Sequence, residues 1–251
     1  MMITIGGTRR RNALDLGGFQ ALAAAWTGLE EADDVRVGIV TGHETDFCSG
    51  ADLSGIGSEI TRAVRSGQSA AGVWSDIHRA VLRNVALSKP VIAAIEGICF
   101  GAGMELAGAT DIRIAGRSSR FALPEVRRGV IASGGSLARL PRQIPYAPAM
   151  QILLTGAETG AARMAELGFV NEVVADGQAR ERALAVARLI ADNAPAAVRA
   201  TKQAVSSGLG ASLAEAYAIE ADAAREVLAG PEATEGYRAF TQKRPASWRL
   251  T

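Results

Sequence analysis

The chain has 251 residues, 48% of them apolar, enough to bury a large core in one domain with at most a small appendage. Lysine and arginine number 27 against 26 acidic residues, a formal charge of +1, so the balance gives no reason to expect nucleic acid or a charged membrane surface as partner. Cys48 and Cys99 are the only cysteines, which excludes a disulfide scaffold and a CxxC metal pair, and no uncharged apolar run approaches the ~20 residues that span a bilayer.

The start, "MMITIGGTRRR", has no apolar core suited to a signal peptide, so a reducing cytoplasmic setting is expected. "LDLGGFQALAAAWTGLEEADD" (14–34) reads as a helix with Asp15 as its cap, although Gly17 and Gly18 weaken the first turn. "VRVGIVTG" (35–42) alternates, is rich in β-branched residues and reads as a strand. The tight segment 43–53 follows, and then "SGIGS" (54–58) and "RSGQSAAG" (65–72) read as mobile loops. Helical spacing over 73–88 runs up to Pro90, and "VIAAIEG" (91–97) is a buried strand. A short helix over 103–110, a strand over 111–116, helices around Pro141 and Pro145 and a strand over 168–175 come next. From Gln178 the pattern is helical, with amphipathic pieces at 197–208, 212–230 and 231–244. Strands and helices alternate first and helices dominate last, which is an α/β core (1–190) with a C-terminal helical region (191–251).

The Gly-rich stretch "FGAGMEL" (100–106) is the first candidate for chemistry. A GxGxxG dinucleotide loop would need glycine where Leu106 stands, and no GxxxxGK[ST] phosphate loop occurs. "GGSLA" (134–138) misses the GxSxG elbow, and with only His43 and His78 available a Ser-His-Asp triad is a poor fit. Both histidines read as ordinary surface or part-buried residues, and Trp74 and Ile77 read as core. Glu105 follows the Gly-rich turn and Glu125 follows Pro124. Taken singly, each is equally well a helix-start acid favoured by the dipole. The second tight stretch, "FCSGADL" (47–53), changes that balance. Two separated strand-to-helix turns, each offering a backbone N–H, can converge on one oxygen and stabilise it as it becomes negative. Small residues let a substrate reach the backbone, and two nearby carboxyl groups can move protons on and off carbon and water.

Together the segments "RRNALDL" (10–16), "FCSGADL", "KPVIAAIEGICFGAGMELAGATDIRIAG" (89–116), "FALPEVRRGVIASGGSLARLPRQI" (121–144), "ILLTG" (152–156), "AELGFVNEVV" (165–174) and the Phe240–Arg244 tail resemble the crotonase family of enoyl-CoA hydratases and isomerases. The resemblance implies a spiral of ββα turns with a C-terminal helical region used for trimerisation, and a homotrimer or homohexamer. It implies that Ala51 and Ala102 donate the two oxyanion N–H groups and that Glu105 and Glu125 are the catalytic pair of a hydratase. The implied reaction adds water across a 2-trans-enoyl-CoA to give a 3-hydroxyacyl-CoA. Isomerisation, other acyl-CoA enolate chemistry and non-catalytic acyl-CoA binding are its rivals. Coenzyme A arrives with the substrate, and no metal or separate cofactor is implied. Arg11, Ala13, Asp52 and Leu53 match the strip that contacts the substrate and its CoA, with Arg10 or Arg11 near the phosphates. Phe240 and Lys243 match tail residues that reach a neighbouring subunit's site. "GGT" (6–8) stands where the family usually has "NRP", and Ser133 stands in the loop where a glycine often helps to position water.

Overall fold

The strands predicted from apolar runs lie parallel in one sheet. In the computed structural model, which describes residues 1–6, 9–57, 62, 65–66 and 71–248, β2 (Gly38–Gly42) pairs with β1 (Met2–Ile5) and β3 (Val91–Ile95). β3 pairs with β5 (Ile112–Gly116), and β5 with β8 (Glu172–Val174), giving the order β1-β2-β3-β5-β8. Every residue of β3 is buried, as expected for a parallel strand covered on both faces. Val91, Ala93 and Ile95 join a core with Phe19, Trp26 and Leu29 of α1 (Leu16–Glu31). Ile92 and Ala94 face the other way, toward Ala179 and Ala183 of α7 (Ala179–Ala191).

A second, short sheet holds β4 (Ile98–Phe100), β6 (Arg120–Ala122) and β7 (Thr159–Gly160). Single parallel bridges, Leu14 to Ala51 and Cys48 to Cys99, extend the same stacking to the earlier turns. One turn therefore runs β3, β4 and α3 (Ala102–Ala107). The next runs β5, β6, a 3-10 turn (Pro124–Arg128), α4 (Ser136–Gln143) and α5 (Tyr146–Thr155). This is the expected spiral of ββα turns.

Most elements fall where the pattern puts them. Asp15 does cap α1, accepting from the Gly18 N–H at 2.9 Å. Two boundaries differ most, while the strand expected over 35–42 starts at Gly38 and the helix expected over 103–110 ends at Ala107. α2 (Ala71–Ala80) stops well short of residue 88. Its end is a Schellman turn, with Arg83 N–H on His78 O and Leu82 N–H on Arg79 O, and the left-handed position is taken by Leu82 (φ +55°). A leucine gives no stop signal, so Pro90 looked like the terminator. α6 (Ala161–Glu166) closes in the same way with Gly168 (φ +85°) in that position, and this shortens the strand expected over 168–175 to β8. Of the two expected loops, residues 54–57 of the first lie in a turn of π-helix (Leu53–Gly57) and residues 71–72 of the second open α2; residues 58–61, 63–64 and 67–70 lie outside the described residues, as do Gly7 and Thr8.

After α7 come α8 (Pro195–Gly208), α9 (Leu213–Ala229) and α10 (Pro231–Thr241). α9 opens with a full capping box, Ser212 and Glu215 each closing on the other's backbone.

Candidate active site

The spiral sets the motif-bearing segments side by side. Leu14 N–H donates to Gly50 O and Asp52 N–H to Leu14 O, both at 2.8 Å; Phe100 N–H donates to Cys48 O and Gly101 N–H to Ala122 O, both at 2.9 Å. Residues 14, 48–52, 98–102 and 120–122 thus form adjacent rungs although the chain separates them widely. Gly50 (φ +104°) and Gly101 (φ +52°) hold conformations that a side chain disfavours. A Cβ on Gly50 would lie 3.5 Å from Ala102 N, so the two turns touch backbone to backbone. Gly103 seals the contact from behind, since a Cβ there would meet Cys48 O at 2.6 Å. Among the described residues, the N–H groups of Ala51 and Ala102 have no protein acceptor. Ala102 is the first residue of α3, where helix geometry leaves the N–H unpaired and the dipole is positive.

Glu105 lies one turn into α3, and all six residues of that helix are buried. Its Oε1 accepts the Gly134 N–H at 2.6 Å, and the Ser136 N–H at the start of α4 also points at the carboxylate. Burial pushes its pKa up to about 7, the nearby charge of Glu125 pushes the same way, and these two N–H groups and Arg139 oppose the rise. Glu125 sits in the Pro124–Arg128 turn with its Oε1 over the Gly101–Ala102 turn, 3.0 Å from where a Cβ on Gly101 would be. Its pKa is raised by burial, against a lowering from its own N–H and from Arg128. Its Oε2 is buried and has no hydrogen-bond partner among the described residues. One carboxylate is therefore cradled by donors, and the other keeps an unsatisfied oxygen near the Gly101–Ala102 turn. That arrangement suits a pair that shares a proton while an adjacent oxygen becomes negative.

The other expected contacts are less uniform. Arg11 is exposed, left-handed (φ +55°) and 3.9 Å from Asp46. Ala13 is half-buried and closes the turn of residues 10–12 through its N–H to Arg10 O. Asp52 is engaged by Arg9 (3.3 Å) and by Ser54, whose hydroxyl donates to it at 2.6 Å. Leu53 is about half exposed, at 49%. Phe240 lies in the last turn of α10 and Lys243 just beyond it, with Phe240 86% exposed. Trp74 and Ile77 pack on the core, His43 is exposed, and His78 is held neutral-leaning by part burial and by Arg83. Cys48 and Cys99 are free, buried thiols, and burial pushes Cys48 up to about 12. No cluster of metal-ligating side chains occurs among the described residues.

Three residues escaped the sequence reading. Gly134, next to the suspect Ser133, is the glycine that touches the site: a Cβ there would land on the Glu105 carboxylate, 2.7 Å from Cδ. Asn12, between Arg11 and Ala13, is buried and donates to the carbonyls of His43 (2.9 Å) and Asp46 (2.6 Å), tying down the entry to "FCSGADL". Arg139 faces Glu105 from α4. The doubled glycine of "GGSLAR" was the signal available for the first, while the other two depend on distant partners.

The chain belongs to the enoyl-CoA hydratase/isomerase family, which it matches over residues 1–250. It is 34% identical over 250 residues to the enoyl-CoA hydratase EchA19 of Mycobacterium tuberculosis, covering 99% of this chain and 92% of that one. It is 32% identical over 245 residues to a short-chain-enoyl-CoA hydratase of Clostridium acetobutylicum, covering 97% and 91%. The crystal structure of an enoyl-CoA hydratase from Bacillus anthracis superposes with a TM-score of 0.91 at 34% identity, covering all of this chain and 95% of the other.

Proposed function

We propose that this chain hydrates 2-trans-enoyl-CoA thioesters with Glu105 and Glu125 as its acid/base pair and the N–H groups of Ala51 and Ala102 as its oxyanion donors. The thioester oxygen sits between the two N–H groups, and their pull makes Cβ electrophilic. A water held by the carboxyl pair loses one proton to the Glu105 carboxylate as its oxygen bonds to Cβ. Glu125, in its protonated form, gives its proton to Cα, and the proton taken by Glu105 returns to Glu125 to close the cycle. The observation that carries this reading is the buried, unpartnered Oε2 of Glu125 beside the Gly101–Ala102 turn.

The CoA part of the substrate follows the strip of Arg11, Ala13, Asp52 and Leu53, and the reaction calls for no other cofactor. We assign the protein to the cytoplasm. Among the described residues no helix is long and apolar enough to cross a membrane. We assign it a homotrimeric or homohexameric state, supported by a groove of about 530 Å³ between α8 and α9 lined by Ala197, Ala204, Val205 and Ala223. In that assembly Phe240 and Lys243 serve a neighbour's site.

The test is the ultraviolet absorbance of crotonoyl-CoA, which the conjugated enoyl thioester has and its hydrated product lacks. The protein is expected to bleach it, and Glu125→Gln to slow bleaching by ~10²–10⁴-fold. Binding without bleaching, across several acyl lengths, would overturn the reading and leave a binding-only protein.

A further inference from the structure

Arg139 is the one half-buried cation of α4, and among the described residues it makes no ion pair within 4.0 Å. Its fork goes to two consecutive carbonyls: Nη2 donates to Leu82 O and Nη1 to Val81 O at 3.5 Å. Those carbonyls belong to the Schellman turn that ends α2, where Leu82 is buried and left-handed. A leucine there is strained, and a donor on its carbonyl is what holds such a turn in place. The same guanidinium fills the space at Gly135, where a Cβ would lie 2.6 Å from Nη1. Gly135 is left-handed too (φ +120°) and follows the Gly134 whose N–H donates to Glu105. Arg139 therefore bolts the turn that cradles Glu105 onto the end of another helix. Its positive charge favours the ionised form of Glu105, which the charge of Glu125 disfavours.

We propose that Arg139 is a positioning residue for hydration: it fixes the Gly134–Gly135 donor turn against the carbonyls of residues 81 and 82, and its charge offsets the crowding of two carboxylates. This rests on the assignment of Glu105 as the group that takes the water proton. Burial and Glu125 disfavour the ionised form of Glu105, and Arg139 favours it. The charged groups around the pair are few. Glu125 faces Glu105 from the Pro124–Arg128 turn, and Arg128 faces Glu125. Arg83, after α2, faces Arg139 and is bonded through Nη1 to the His78 ring at 2.8 Å, so it is itself partly engaged. Arg113 lies beyond the far end of α3, where it donates to Ala107 O and Thr110 O.

Three substitutions separate the two jobs. Arg139→Gln keeps a donor for the carbonyls but no charge. Arg139→Lys keeps the charge but loses the planar fork, which lysine cannot reproduce. Arg139→Met loses both. The readout is the pH dependence of kcat and kcat/KM for crotonoyl-CoA hydration, with thermal unfolding run beside it. Activity needs Glu105 ionised, and removing the positive charge makes ionisation harder, so the acid limb moves to higher pH. Arg139→Gln is expected to move it by roughly half a pH unit or more. Arg139→Lys is expected to leave the limb in place and to lower kcat roughly ten-fold, with KM little changed, because a slightly misplaced donor turn costs the transition state more than the bound substrate. Arg139→Met is expected to show both effects.

A merely structural arginine would lower the unfolding temperature and the active fraction without moving the pH profile. An acid limb unmoved in Arg139→Gln, or losses confined to KM, overturns the proposal. Should Arg139→Met fail to fold, the glutamine and lysine variants decide. Glu105→Gln is measured in the same series. If it stays fully active, the Glu105 assignment falls and this proposal with it; if it is inactive while the Arg139→Gln profile is unmoved, only this proposal falls.

Discussion

α3 and α9 show how differently one chain can treat two helices. α3 has six residues and buries all of them, while α9 has 17 and buries none. α3 is too short to be stable alone and exists because both of its neighbours in the spiral press on it. Its order is thereby passed to Ala102 and Glu105. α9 has the sequence devices of a self-sufficient helix, a capping box and good helix formers, and it packs within this chain mainly on α8 and α10. Its apolar side chains stay exposed, with Leu213 at 67% and Tyr217 at 61%, and Leu209 in the turn before it is 76% exposed. Precision in this protein is therefore a property of the spiral, and the tail is the surface to which the proposed association is assigned.

The largest expected effect tests the first half of that contrast. Glu105→Gln is nearly isosteric and keeps the helix, yet it should lower kcat for crotonoyl-CoA by ~10²–10⁴-fold, the range of one positioned acid/base group. Near-normal turnover would mean that the order of α3 serves only the fold.

The same residue links stability to pH. Its ordinary value is 4.5 and in the folded chain it lies near 7, so between these pH values the folded state keeps a proton that the unfolded state has released. Stability is then fully present below about 4.5 and falls as pH rises toward 7, by at most about 3 kcal/mol. Urea midpoints at pH 5 and pH 8 should show this fall. Glu105→Gln should flatten it, and the remainder belongs to Glu125, which is raised in the same direction. An unchanged slope would show that Glu105 is better solvated than its burial implies.

Gly103→Ala comes next. Its methyl would press on the Cys48 carbonyl at 2.6 Å, and overpacking of this kind costs ~1–3 kcal/mol. Unfolding midpoints and turnover should drop together, because the clash pries apart the Gly50–Ala51 and Gly101–Ala102 turns that the proposed mechanism uses. A drop in stability with turnover intact would separate the turns' packing from their chemistry.

The smallest change in stability is expected in the tail. Leu209→Ser with Leu213→Ser should leave the folding free energy of a single chain within about 0.5 kcal/mol, since neither side chain is buried in it. Sedimentation mass should nevertheless fall toward that of one chain. An unchanged mass would move the proposed association to another surface.

Much of this was legible from residue order. The strands announced themselves as apolar runs, Asp15 as a cap, the tail helices as amphipathic pieces, and the glycine-tight stretches around Ala51 and Ala102 as places where backbone is exposed. The features that failed to show share a cause. Leu82 ends α2 from a position that normally takes glycine, with its carbonyl held by Arg139, 57 residues away. Asn12 orders the carbonyl of Asp46 from 34 residues off. Gly134 matters because a carboxylate 29 residues earlier occupies the space of its missing side chain.

Taken alone, the sequence determined local conformation, the α/β class, the order of the motifs and the chemical types at the site, because propensity, periodicity and side-chain chemistry act over a few residues. Only the tertiary structure decided that Gly50 would touch the Gly101–Ala102 turn and that Glu125 would keep one oxygen unpaired above it. It alone also set how far burial would lift Glu105. Those are matters of distance, desolvation and excluded volume between segments far apart in the chain, and the coiling of the spiral brings them together.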